Sequence, residues 1–410
     1  MSKLNSIELF AGAGGLLDGF EQTEKYNLLG AVEWQKPQVR TLIKRLETKY
    51  GDQYAKEKVL NFDIQRTEEL LNGWNDTKFG FNMGLDSLVG SQRVDVISGG
   101  PPCQAYSLAG RIRDINGMKK DYRNYLFEAY LRIVEHYKPK IFIFENVEGI
   151  LSAIPSGELI TDLVRQGFDQ IGYEIVDDLK SYALLDFTEF GVPQKRKRVI
   201  IVGIRRDNCK TNYQNLLHSF YEEDLRKMKR RRIRTVRDAI GDLPQIYPIK
   251  SPLINKEVYS NNTGINGHKS RFHNYRDQEI FYELALDIQN KTNKYDTAEK
   301  LIDLYFKETG KQTKVHKYHV LRWDEPSNTI PAHLKKDGLR HIHPDPNQRR
   351  SITVREAARL QTFPDDFEFN ESMVSNYEMI GNAVPPLFAK KLGLALPDFI
   401  KKVIKTEKRT

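Results

Sequence analysis

The chain has 410 residues, 39% hydrophobic and 10% aromatic, enough for a sizeable core in one large domain or two unequal ones. Its two cysteines, Cys103 and Cys209, lie far apart and form no CxxC pair, which excludes a disulfide scaffold and a thiolate zinc site and fits a reducing compartment. No window reaches the length of a membrane span, and "MSKLNSIELFAGAGG" lacks the charged start and long apolar run of a signal peptide, so a soluble, cytoplasmic chain is expected.

In chain order, short apolar runs alternate with stretches of helical periodicity. "SIELFAG" reads as a buried strand, "LLDGFEQ" as a helix, "NLLGAVEW" as the next strand and "QVRTLIKRLETKY" as the next helix. "KVLNFDI" and "VDVISGG" are further strands, and "NYLFEAYLRIVEHY" carries apolar residues at helical spacing. "KIFIFENV" is apolar without alternation, as a parallel strand covered on both faces must be. "GELITDLVRQGFDQIGY" follows as a helix and "RVIIVGIRRD" as a strand. This alternation predicts an α/β fold with a Rossmann-like, doubly wound, mostly parallel sheet over residues 1–207. From 208 to 345 the chain is polar and rich in Asn, Lys and Tyr, and a smaller, irregular second domain is expected. The C-terminal segment 346–410 holds "TVREAARLQTFP", a capped helix stopped by proline, then "GNAVPP" and an amphipathic helix expected to return to the large domain.

The net charge of +9 is unevenly spread. "RKMKRRRIRTVR" (226–237) has eight basic residues and no acid, and "QKRKR" (194–198) and the tail add more. A charge run is usually a solvated face. The concentration here makes a polyanion, nucleic acid first, the competing reading.

Several strand ends carry chemistry. "ELFAGAGGLLDGF" is a strand, a glycine-rich turn and a helix start, yet it matches neither GxGxxG nor the P-loop. A ligand with an adenosine end and no phosphates fits better. Glu33 closes the second strand, where a carboxylate accepts from ribose hydroxyls, and Trp34 beside it offers a face to a purine. Asp63 closes the third. Cys103 follows the fourth on the stiff turn "GGPPC"; a nucleophilic cysteine needs exposure and an electropositive setting to become thiolate. Glu145 ends the fifth strand after a wholly apolar run, where desolvation favours its protonated form. Arg196 and Arg198 stand where the last strand begins. Each residue alone has an ordinary structural explanation; together they bring a thiol, a carboxyl and two guanidiniums toward one sheet edge.

These residues resemble the C5-cytosine DNA methyltransferase family. "ELFAGAGG" resembles its cofactor loop, "GGPPCQAYS" its catalytic loop, "ENV" its glutamate motif and "QKRKR" its Gln-x-Arg-x-Arg motif, while "TVREAARLQTFP" and "GNAVPP" resemble its late motifs, all in the family's order. The resemblance implies an S-adenosylmethionine-dependent methyltransferase fold with a target-recognition domain in 208–345, double-stranded DNA as substrate, S-adenosylmethionine as methyl donor and no metal. It assigns the cofactor pocket to Phe10, Ala13, Gly15, Glu33, Trp34, Asp63, Ile64, Leu126, Asn382 and Val384. It makes Cys103 the nucleophile at C6 of a flipped-out cytosine, puts Glu145 at N3 and the exocyclic amine and Arg198 at O2, and gives Arg196 a supporting place. Substrate contacts fall to Pro102, Gln104, Ser107 and Gln194. The loop 104–123 is expected to be mobile and to close over DNA. "NFDI" departs from the family, with Asn61-Phe62 before the aspartate where a glycine is frequent. "HIH" (341–343) is expected to be structural or phosphate-contacting, not a metal site. The chain is expected to be a monomer and the bacterial or phage modification enzyme of a restriction–modification system, with its endonuclease encoded separately. The rivals are an RNA cytosine methyltransferase using the same site, a non-catalytic DNA-binding relative and, from the bottom-up reading of the residues, a nicotinamide oxidoreductase, which the missing phosphate fingerprint opposes.

Overall fold

The computed structural model describes residues 3–101, 124–154, 158–249 and 258–409. The chain divides into two compact units: Met1–Phe190, Lys197–Arg231 and Val384–Thr410 form the first, Gly191–Arg196 and Arg232–Ala383 the second.

The first unit is built on a sheet. Its strands are β1 (Leu4–Leu9), β2 (Tyr26–Glu33), β3 (Val59–Asn61), β4 (Trp74–Asp76), β5 (Gly80–Asn82), β6 (Val96–Gly99), β7 (Ile141–Val147), β8 (Tyr173–Ile175), β9 (Leu184–Asp186) and β10 (Lys197–Arg205). Eight of them form one sheet in the order β3-β2-β1-β6-β7-β10-β8 with β9 beside β10, while β4 and β5 make a separate hairpin. The five strands from β3 to β7 run parallel and β10 runs antiparallel to β7. Ile141 to Phe144 have almost no exposed surface, the burial on both faces that an unbroken apolar run requires. The sequence reading missed β8 and β9, whose three residues each are too few to show a period.

The winding reverses at β1. The chain steps outward from β1 to β2 and β3, then returns to lay β6 on the other side of β1. Such a switch point opens a crevice at the carboxyl ends of its strands. The register aligns those ends: Leu9 pairs with Val32 and Gly99, and Gly99 with Phe144. The residues that follow β1, β2, β6 and β7 therefore emerge at one edge. Antiparallel β10 starts at that same edge, with Arg198 opposite Val147.

The helix Gly15–Glu21 leaves this edge and crosses the C-terminal helix Pro386–Glu407 closely. Gly19 stands where a Cβ would overlap that of Ala389. At the far end, buried Lys140 holds both carboxylate oxygens of Glu407 at 2.7 Å. The last helix is thus part of the first unit.

In the second unit, the stretch read as irregular holds two helices, Tyr275–Asn290 and Ala298–Thr309. Ile280, Phe281, Leu284 and Leu304 on them form a core with Tyr318, Val320 and Ile342. The expected capped helix at "TVRE" is closed by a capping box: the Thr353 hydroxyl accepts from the Glu356 N–H, and the Glu356 carboxylate accepts from the Thr353 N–H. Glu356 also takes both arms of Arg350 at 2.7 Å.

His273, His341 and His343 are buried here, and burial pushes each imidazole down to about 3. His341 Nε2 donates to the Thr329 carbonyl at 3.1 Å, and His343 Nδ1 accepts from the Asp345 N–H. Both histidines of "HIH" are structural. Because the folded values lie below the ordinary 6.5, this stability is complete above about pH 6.5 and drains away as pH falls toward 3. Unfolding at pH 5 is expected to take up about one proton per histidine, a slope of roughly 1.4 kcal/mol per pH unit for each. Denaturant titrations at pH 7.5 and pH 5 measure this; coincident midpoints would contradict it.

Candidate active site

On the β1–β2–β3 side, Phe10 follows β1 at φ 54, a left-handed conformation that a bulky side chain keeps only where its surroundings impose it. The turn continues through Gly12 (φ 57) and Gly14 (φ 87). At Gly14 a Cβ would stand 2.5 Å from Leu42 Cδ1, whereas at Gly12 it would meet nothing within 4 Å. The turn therefore faces open space at Gly12. Glu33 lies behind it, buried. Its Oε1 accepts from the backbone N–H groups of Trp34 (2.9 Å) and Gln35 (2.8 Å), and its Oε2 from that of Gly12 (2.9 Å). Burial raises the pKa of this carboxyl, and the three N–H donors oppose the shift. Oε1 is filled; Oε2 keeps a lone pair for one more donor.

Trp34 is 46% exposed. Asn61 Nδ2 donates to the carbonyls of Glu33 (3.0 Å) and Trp34 (2.9 Å), so the departure at this position ties the end of β3 to the end of β2. Asp63 is half-buried, with the Gln65 N–H on its Oδ1 at 3.1 Å, and Ile64 is buried next to it. Ala13 and Gly15 are buried at the start of the first helix, and Leu126 is buried in the helix Asn124–Tyr137. Val384 is buried in the first unit, whereas Asn382 is exposed in the second, at the end of the helix Met373–Asn382. The first-unit set offers an aromatic face and two carboxylates. That suits a nucleoside and not a phosphate.

On the β6–β7 side, Arg198 Nε lies 3.2 Å from Glu145 Oε1, both side chains being about six-sevenths buried. Glu145 and Val147 share a face of β7, and Arg198 sits opposite Val147 on β10; the pleat brings the pair together. Gly100 packs directly on the carboxylate: a Cβ there would stand 2.6 Å from Glu145 Oε2 and 3.3 Å from the Glu145 carbonyl oxygen. A side chain at the second glycine of "GGPPC" would thus displace the Glu145 carboxylate, a link that the sequence reading missed although the Gly-Gly pair was its signal. Gly100→Ala is expected to push the carboxyl out of place and lower the reaction rate about 10²-fold, as ångström misplacements do. Single-turnover rates measure it, and a rate within twofold of the parent would refute it. Pro101 is buried. Pro102, Cys103, Gln104, Ser107 and the loop 104–123 lie outside the described residues.

Arg196 and Gln194 belong to the second unit. Arg196 is buried, and its guanidinium donates to the carbonyls of Ile330 (3.2 Å), Gly381 (3.1 Å) and Ala383 (3.0 Å). Gln194 has no exposed surface; its Nε2 donates to the Leu360 carbonyl (3.1 Å) and Gln361 Oε1 (2.5 Å), and its Oε1 accepts from the Ile330 N–H (3.0 Å). Gln361 Nε2 in turn donates to the carbonyls of Ile380 and Ala383. This polar knot fixes the backbone on both sides of Asn382. Gln361 lies inside "TVREAARLQTFP", and its position in that motif does not reveal this role.

The 226–237 run divides between the units at Arg231. Lys227 pairs with Asp224 (3.9 Å), Lys229 with Glu189 (2.6 Å), Arg232 with Asp238 (2.9 Å) and Arg237 with Asp324 (3.0 Å). Such exposed pairs are worth about 0–1 kcal/mol and yield readily to phosphate. Among the described residues, no group of three or more His, Cys, Asp or Glu could hold a metal ion, and no helix is long and apolar enough to cross a membrane.

A family model described as C-5 cytosine-specific DNA methylase matches residues 4–397. The chain is 33% identical to the type II methyltransferase M.Bpa9945I of Bacillus paralicheniformis, covering 96% of this chain and 98% of that one. It is 30% identical to the type II methyltransferase M.AgeI of Thalassovita gelatinovora, covering 98% and 100%. Among solved structures, its fold is similar to that of a protein described as a DNA modification methyltransferase encoded within an E. coli prophage, with a TM-score of 0.59, 22% identity and coverage of 97% and 100%.

Proposed function

The chain belongs to the C-5 cytosine-specific DNA methylase family, and from this premise we propose that it methylates a flipped-out cytosine in a specific duplex sequence through a covalent Cys103 adduct, as the modification enzyme of a type II restriction–modification system. The observation that carries the reading is the Glu145–Arg198 pair at 3.2 Å, set against the Gly100 backbone that leads into "PPC".

C5 of cytosine is a poor nucleophile. Addition of the Cys103 thiolate to C6 turns the ring into an enamine and makes C5 reactive. Glu145 hydrogen-bonds N3 and the exocyclic amine and protonates N3 as the adduct forms. Arg198 holds O2 and adds positive potential that favours the thiolate. Bound S-adenosylmethionine supplies an electrophilic sulfonium methyl group. Loss of the C5 proton, return of the N3 proton to Glu145 and elimination of Cys103 restore the ring, the acid and the thiolate. The donor's adenosine end fits the chain's residues: Trp34 takes the purine face, Glu33 Oε2 a ribose hydroxyl, Asp63 the adenine amine, and the open space at Gly12 the ligand's approach. Phe10, Ala13, Gly15, Ile64, Leu126 and Val384 complete the pocket. Pro102, Gln104 and Ser107 contact the target. Arg196 and Gln194 act from within their unit by fixing the backbone around Asn382. Residues 208–345 read the sequence, with base-edge contacts giving specificity and basic side chains giving affinity. The protein works as a cytoplasmic monomer beside a separately encoded endonuclease.

Labelled methyl transfer to duplex DNA and to tRNA tests the substrate, and bisulfite sequencing of DNA from expressing cells reads the site. Methylation at one recurrent DNA sequence is expected. Transfer to tRNA alone would overturn the proposal.

A further inference from the structure

The β4–β5 hairpin is seated on the residue that departs from the family pattern. Phe62, fully buried just before Asp63, stacks on Trp74 at 3.9 Å between ring centres and lies 5.0 Å from Phe79. The Arg66 guanidinium lies 4.7 Å from the Phe62 ring and pairs with Asp76 at 2.6 Å. Asp76 Oδ1 accepts from the backbone N–H groups of Lys78 (2.9 Å) and Phe79 (2.7 Å), which locks the turn between the two strands. A glycine at position 62 would remove this seat. The locked turn delivers Lys78, whose Nζ lies 5.7 Å from the centre of the Trp34 ring and 4.7 Å from that of Phe79.

We propose that Lys78 is a positioning residue for the methyl donor: its ammonium group holds the Trp34 indole from the hairpin side and so presents the ring to the purine. This rests on the reading of Trp34 as the adenine-stacking surface. With 46% of the residue exposed, Trp34 has fewer packing contacts to fix its ring than a buried indole has. A cation over the ring helps to fix it beforehand, and preorganisation appears as affinity.

Calorimetric titration of the full chain with S-adenosylhomocysteine tests it. Lys78→Met keeps the stem and loses the charge, and is expected to weaken binding about two- to fivefold, the range of an exposed cation–π contact. Lys78→Arg keeps a cation over the ring and is expected to bind as the parent does. The thermal midpoint of the ligand-free protein should be the same in all three. Parent-like affinity in Lys78→Met, or equal weakening in Lys78→Arg, would overturn the inference. Trp34→Ala separates the levels. If it weakens binding while Lys78→Met does not, only the role of Lys78 fails; if it too binds as the parent, the reading of Trp34 fails, and that of Lys78 with it.

Discussion

Methyl transfer by the Glu145→Gln protein is expected to fall by about 10²–10⁴-fold, the usual worth of a positioned acid, with its folding intact. Glutamine matches glutamate in size. Its amide oxygen can still accept from Arg198 Nε, the contact made at 3.2 Å by Glu145 Oε1. It can also mimic the ground-state hydrogen bonds to cytosine, with its NH₂ donating to N3 and its oxygen accepting from the exocyclic amine. What it cannot do is hand a proton to N3 as the thiolate adds at C6. The loss should therefore fall on the chemical step and not on DNA affinity. Single-turnover rates at saturating donor, beside binding of the unmethylated duplex, make the measurement. A rate within threefold of the parent would remove Glu145 from proton transfer.

Cys103→Ser is expected to lower turnover at least about a thousandfold while duplex binding survives. The serine hydroxyl is far less acidic than a thiol, so positive potential from Arg198 cannot turn it into an anion at neutral pH. The adduct itself gives the sharper readout. A fluorine at C5 cannot leave as the proton does, so a duplex carrying 5-fluorocytosine should hold the parent enzyme in a denaturation-resistant complex. The Cys103→Ser protein should form none. Unchanged turnover, or an adduct without the thiol, would sink the covalent mechanism.

Much of the first unit was legible because its chemistry is local. The apolar run Ile141–Phe144 reads as a buried strand, a parallel sheet has to put its strand ends at one edge, and Glu33, Glu145 and Arg198 are placed by counting to those ends. The capped helix start at "TVRE" was equally readable, because a cap and its partner meet within one helical turn, as Thr353 and Glu356 do. The helices 275–290 and 298–309 were not. Their apolar residues recur at helical spacing, in "EIFYELALDI" and "LIDLYF", but the surrounding stretch is polar and lacks the strand–helix rhythm, and the core they form takes Tyr318, Val320 and Ile342 from farther along the chain. The hairpin was invisible because strands of three residues carry no period.

The sequence by itself therefore determined the family, the sheet and the order of the chemical groups, all of which follow from local pattern and spacing. Only the tertiary structure decided what each group touches. It set the Gly100 backbone against Glu145, spent the amide of Gln194 and the guanidinium of Arg196 on backbone carbonyls, and laid Lys78 over Trp34. Those contacts join residues from 44 to 185 positions apart. Spacing along a chain says where a side chain starts; packing across it decides where the side chain is held.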